Sequence, residues 1–265
     1  MKIFIKIIML SFFVTILLIG CKSLPEEKSV TISEKVAQIT AGHESEREKA
    51  IALHNYVCEE IKFGFTKYFD EAKPEYTLNC GIGYCNPKTE LMVAFFREAG
   101  FEAHQHFCTL PMEVASGIAP SFIEWFMEWS NPEVSHSYTE VKVEGNWYSI
   151  DSYILDTPLL KSALAKLSAE DKSFGYFTRK GATNEWDGQS DSFSQFSKDL
   201  STEDHGRVED LEAYYGSEKY RNKNFGCIRW NTMNMLMFGG SVAIANSGFE
   251  ELRKQYADQQ TTKTD

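Results

Sequence analysis

The stretch "GYCNPKTELMVAFFREAG", residues 83–100, constrains this chain more than any other. Leu91, Met92, Phe95, Phe96 and Ala99 form one apolar stripe at helical spacing, which needs a sheet or a second helix to cover it. Pro87 suits the first turn of that helix and Gly100 suits its end. A residue before proline avoids the helical region, which places Asn86 at the N-cap and Cys85 just outside the helix. None of the stripe explains Cys85. A cysteine beside a helix N-terminus lies where unsatisfied N–H groups favour the thiolate, and the thiolate is the nucleophile.

The surrounding order is α+β. Ser45 and Glu48 read as a capping box, and Ala50, Leu53, His54, Val57 and Ile61 recur at helical spacing to about Lys62. Residues 63–82 read as a loop. Residues 101–110, "FEAHQHFCTL", have strand composition, and "HSYTEVKV" and "WYSID" flank a Glu144-Gly145 turn as a hairpin. Between them "PSFIEWFMEWSNP" makes one or two helical turns with four large aromatics. Beyond Asp151, residues 158–170 and 208–220 suggest helices around a polar stretch, 174–206. "MNMLMFGGSVAIA" is a short apolar run suited to a core, and Ser247 with Glu250 caps a final helix.

The N-terminus reads as an export signal. Lys2 and Lys6 precede the thirteen-residue apolar run Ile7–Ile19, shorter than the roughly 20 residues needed to span a bilayer. Leu18-Ile19-Gly20-Cys21 follows and resembles the lipobox of bacterial lipoproteins, which implies lipidation of Cys21. Several acyl chains there would tether the protein stably to a membrane without spanning it. Lys22 at the next position implies outer-membrane delivery where the organism has one. The expected organisation is a signal peptide over 1–20, a tether over 21–44, a core over 45–155 and a mostly helical C-terminal extension over 156–265.

Charge narrows the partners. Loss of residues 1–20 takes the formal charge from −11 to −13, which repels phosphate backbones and excludes nucleic acid as the default ligand. The cell envelope permits disulfides, and without Cys21 five cysteines are left: Cys58, Cys80, Cys85, Cys108 and Cys227. An odd number leaves one thiol over. Cys80 could close a small loop with Cys85 and silence it; the pairing is open at this level.

A nucleophilic cysteine needs a base and a group to orient that base. His136 opens one hairpin strand and Asp151 closes the other. With Glu144-Gly145 as the two-residue loop, Asp151 lies opposite Tyr138 and shares a face with His136. The two are then diagonal neighbours, about 7–8 Å apart at the backbone.

These residues resemble the core of the transglutaminase-like superfamily within the papain-like cysteine fold. The resemblance rests on "GYC", a helix ending "FREAGFEAH", and "HSYTEVKVEGNWYSID", with Gly145 and Trp147 in place, and covers about residues 45–155. It implies N-terminal helices, a catalytic helix and an antiparallel sheet. It also implies Cys85 as nucleophile, His136 as general base and acid, and Asp151 as orienter. Similarity to papain-like enzymes adds Asn79 as an oxyanion donor. The family commonly has an arginine where this chain has His104.

The remaining motifs are weaker. His104, His106 and Cys108 alternate on one strand face, but no second cluster supplies a fourth zinc ligand, so no metal is expected. Tyr84, His104, Tyr138 and Trp125 are candidates to line a cleft, Trp125 from an aromatic wall ahead of His136. Glu124 and Glu128 read as solvated. The expected activity is acyl transfer or hydrolysis on a peptide or carboxamide of the cell envelope, with no cofactor. The alternative is a catalytically silent binding or structural lipoprotein on the same fold.

Overall fold

A computed structural model describes residues 29–66, 68–118, 121–130, 132–222, 224–225, 228–229 and 239–261. The signal segment, the Cys21 lipobox, Cys227 and residues 233–238 of the apolar run lie outside them. No described helix is long and apolar enough to cross a membrane.

Two capped helices begin the fold. Helix α1 (Ile32–Thr40) carries a full capping box between Thr31 and Glu34 and buries Val36 in the main core. The tether expected through residue 44 therefore gives way to core structure at residue 32. Helix α2 (Glu46–Glu60) starts at the expected Ser45–Glu48 box and buries Ala50, Leu53, His54 and Val57.

Residues 63–82 are not a loop. Between strands β1 (Lys62–Phe63) and β2 (Ile82–Gly83), which pair in parallel, lie a 3₁₀ turn over Phe69–Glu71 and helix α3 (Pro74–Cys80). Pro74 fits the first helical turn, and Gly81, at φ 65°, closes the helix in the left-handed conformation.

Helix α4 (Cys85–Glu98) carries the expected stripe, with Leu91, Met92, Phe95 and Phe96 fully buried. It packs on a four-stranded antiparallel sheet of order β5-β4-β3-β8, built from β3 (Ala103–Pro111), β4 (Glu133–Val143), β5 (Asn146–Ile150) and β8 (Glu203–Val208). The hairpin register is the one expected: Val143 pairs Asn146 and Thr139 pairs Ile150, around Glu144 and Gly145 at positive φ. Two consecutive left-handed residues make a type I′ turn, whose twist matches the strands.

Helix α5 (Ser121–Ser130) connects β3 to β4, and helix α6 (Thr157–Ala169) follows the hairpin. Short strands β6 (Phe174–Gly175) and β7 (Thr178–Arg179) come next. After β8 the chain forms α7 (Leu211–Gly216), β9 (Asn224–Phe225), β10 (Ile228–Arg229) and α8 (Gly239–Thr261). Helix α8 starts before the expected Ser247 cap and packs on α6, with Ser162 Oγ donating to the Leu252 carbonyl at 2.6 Å. Gly248 is required there, because a Cβ would lie 2.6 Å from the Ile118 carbonyl oxygen.

Candidate active site

Alternation along β4 sends Ser135, Ser137 and Thr139 toward α4 and sends His136, Tyr138 and Glu140 to the opposite face. Strand β5 stops at Ile150, opposite Thr139, so residues 135–138 of β4 have no strand on that edge. Other groups fill it. Thr89 Oγ1 donates to the Ser137 carbonyl at 3.1 Å, and the Asn222 amide bonds both the N–H of Ser135 (2.9 Å) and its carbonyl (3.2 Å). The N–H of Ser137 acts on the sulfur of Cys85. Cys85 thus meets this notch in the edge of β4 at Ser137, the residue after His136, and Asp151, just past the end of β5, bonds His136.

Cys85 is the first residue of α4, with Tyr84 as N-cap, so the expectation that Asn86 caps the helix is corrected. Pro87 falls third in the helix, where a missing N–H removes no intrahelical bond. Cys85 carries a free thiol and makes no bond to Cys80. The residue is only partly accessible. Burial pushes its thiol well above the usual cysteine range, and the Asp70 carboxyl pushes the same way, against the N–H groups of Asn86 and Ser137.

His136 Nε2 donates to Asp151 Oδ2 at 3.1 Å, with both side chains buried. Asp151 is itself held by backbone. The N–H groups of Ser194, Gln195 and Phe196 all point at its carboxylate, at 3.2 Å for Gln195 and 2.6 Å for Phe196, and Ser194 Oγ adds a bond at 3.3 Å. A carboxylate with that many donors is fixed in place. The Phe196 ring lies parallel to the His136 imidazole at 6.3 Å and stacks on Tyr138 at 4.7 Å. Segment 193–196 therefore orients the histidine and covers it. Backbone donors leave no mark in a sequence, and this segment read only as polar chain.

The other candidates divide. Asn79 is corrected as an oxyanion donor: its amide oxygen accepts from Val30 N–H, and its nitrogen donates to the carbonyls of Val30 (3.0 Å) and Glu75 (2.7 Å). It anchors the segment before α1. His104 is also corrected as a cleft residue: it pairs with Glu140 in register, well along the strand from the Cys108–His136 pair. There it bonds Glu209 at 2.5 Å and packs on Trp147. Tyr84 is buried behind Cys85, its hydroxyl on Asp70, and Tyr138 is buried in the aromatic layer over His136. Trp125 is 65% exposed on α5, parallel to Trp129 at 6.4 Å.

His106 bonds Glu140 at 3.0 Å and Asp204 at 2.6 Å and stacks on Tyr138, so it fastens β3 to β8. Cys108 is buried opposite His136 in the β3–β4 register. Among the described residues no group of three or more His, Cys, Asp or Glu side chains is placed to hold a metal ion.

A family model described as the transglutaminase-like superfamily matches residues 33–152, from α1 to the residue after Asp151. This part of the chain is similar to the transglutaminase-like superfamily. Its match begins with α1, which agrees with the packing of Val36 in the core. The 1.9 Å crystal structure of a Cytophaga hutchinsonii protein described as a candidate cysteine protease is similar at 14% identity and a TM-score of 0.34. It covers 52% of this chain, and the chain spans about 40% of that protein. No curated protein matches the chain. The matched segment ends before Ser194–Phe196, so the donors that hold Asp151 come from outside it.

Proposed function

We propose that this chain is an exported, lipid-anchored thiol enzyme that transfers or hydrolyses acyl groups on a peptide or carboxamide. The buried His136–Asp151 hydrogen bond at the notch that Cys85 enters is the observation that supports it. Cys85 sulfur attacks the carbonyl carbon while His136 takes the thiol proton. Asp151 fixes the imidazole and stabilises it once charged. The carbonyl oxygen becomes an oxyanion within reach of the Cys85 N–H, which at the first helical position has no intrahelical acceptor. As the C–N bond breaks, His136 returns the proton to the departing amine. The thioester then passes its acyl group to water, giving hydrolysis, or to a second amine, giving transfer.

The raised Cys85 thiol shapes this chemistry: the resting sulfur is protonated, so attack and proton removal occur together. p-Nitrophenyl acetate should leave an acetyl group on Cys85, seen by mass spectrometry, with no label in Cys85→Ser. His136→Ala should slow acetylation by about a hundredfold. The deep protonated thiol also fits the second reading, a catalytically silent binding module. Equal rates in the wild-type protein and His136→Ala would establish that reading and end the first. For the anchor, Cys21→Ser should move the protein from the membrane fraction to the soluble fraction; unchanged partitioning would remove the lipid from the proposal.

A further inference from the structure

Behind the notch lies a second carboxyl that the proposed chemistry does not use. Asp70, on the 3₁₀ turn before α3, is buried, and the groups that bond its carboxyl among the described residues are neutral. Burial pushes its carboxyl upward, against four side-chain donors. Tyr84 Oη and Asn86 Nδ2 (2.8 Å) donate to Oδ1; Tyr220 Oη and Asn222 Nδ2 (3.0 Å) donate to Oδ2. A buried carboxyl without a cation is costly unless its oxygens are fully hydrogen-bonded, as these are.

The identity of the donors carries the inference. Tyr84 and Asn86 are the residues on either side of Cys85. The same two amides then reach the residues on either side of His136. Asn86 Oδ1 accepts from Ser137 Oγ at 2.9 Å, and Asn222 holds both backbone groups of Ser135. The flanks of the cysteine and the flanks of the histidine thus converge on one carboxyl through one or two hydrogen bonds. Two of its four donors, Tyr220 and Asn222, lie far beyond residue 152, where the family match ends.

We propose that Asp70 is a positioning residue that sets the separation of Cys85 and His136, with Tyr220 and Asn222 as a latch from the C-terminal extension that completes it. This rests on the thiol-enzyme reading. Asp70 touches neither substrate nor the reacting atoms; it acts through Tyr84, Asn86 and Asn222. Its charge also disfavours a thiolate at Cys85, so its removal separates two effects. Carboxymethylamidation of Cys85 by iodoacetamide, which reports thiolate, should quicken, while acylation that needs His136 should slow.

The test is a double-mutant cycle on full-length protein. Acetylation of Cys85 by p-nitrophenyl acetate is timed in the wild type, Asp70→Asn and Asn222→Ala, each with and without His136→Ala, after thermal melts establish folding. His136→Ala should cost the wild type about a hundredfold. In Asp70→Asn and Asn222→Ala its cost should shrink below about twofold, because the histidine is no longer placed to act. If both variants keep the full wild-type ratio, Asp70 is a structural carboxyl and the inference is overturned. If His136→Ala has no effect in the wild type, the thiol-enzyme reading fails first and takes this inference with it. Should Asp70→Asn not fold, Asn222→Ala and Tyr220→Phe carry the same comparison.

Discussion

At Asp151 one side chain serves two purposes. Its carboxylate orients His136 and also accepts the N–H groups of Ser194, Gln195 and Phe196. Asp151→Ala would leave three buried donors without an acceptor, each costing about 1–3 kcal/mol before water compensates. We expect a loss of about 3 kcal/mol in denaturant unfolding, together with loss of His136-dependent acetylation. Cys85→Ser, which removes no such acceptor, should stay within about 1 kcal/mol of the wild type. Cys85, His136 and Asp151 stood out in the sequence because their residue types and spacing carry chemistry, and the structure joins two of them, His136 and Asp151. Asp70 was not legible: a lone aspartate among aromatics has no pattern, and its four donors are scattered over more than a hundred residues.

Elements with strong local signals were readable, and those shaped by tertiary partners were not. The stripe of α4 and the hairpin around Glu144-Gly145 stand as expected because each is specified within its own residues. Helix α3 is too short to show a period; only Pro74 and Gly81 marked its ends. Strand β8, "EDHGRV", is polar because it is an edge strand and half exposed. Its seam to β3 depends on pH. Burial works against charge on His106, but Glu140 and Asp204 outweigh it and hold its pKa above the ordinary value. Its contribution is complete below about pH 6.5, the usual histidine value, and is lost as pH rises through the raised value. Asp204 and Glu140 lie below the usual carboxylate range, so they fail only in stronger acid. Hydrogen exchange over residues 203–208 should therefore accelerate from pH 6 to pH 8 beyond the intrinsic rate, and His106→Asn should abolish that excess.

For the molecule as a whole, a second buried histidine sets a limit in acid. His54 lies fully enclosed against Ser152 at 2.8 Å, and burial lowers its pKa to about 4. The unfolded chain binds that proton near pH 6.5 and the folded chain does not, so stability falls as pH drops from about 6.5 toward 4. The shift corresponds to about 3 kcal/mol, and His54→Gln should flatten the fall in thermal melts over that range. The family match spans residues 33–152, yet two sets of donors arrive later: those of residues 194–196 to Asp151, and Tyr220 and Asn222 to Asp70. That order has a consequence in time. A chain leaving the ribosome presents Cys85, His136 and Asp151 well before residues 194–196 and Asn222 exist. Until residue 196 has emerged Asp151 lacks its backbone cradle, and until Asn222 has emerged Asp70 lacks half of its donors, so the notch is assembled only after the last third of the chain has followed.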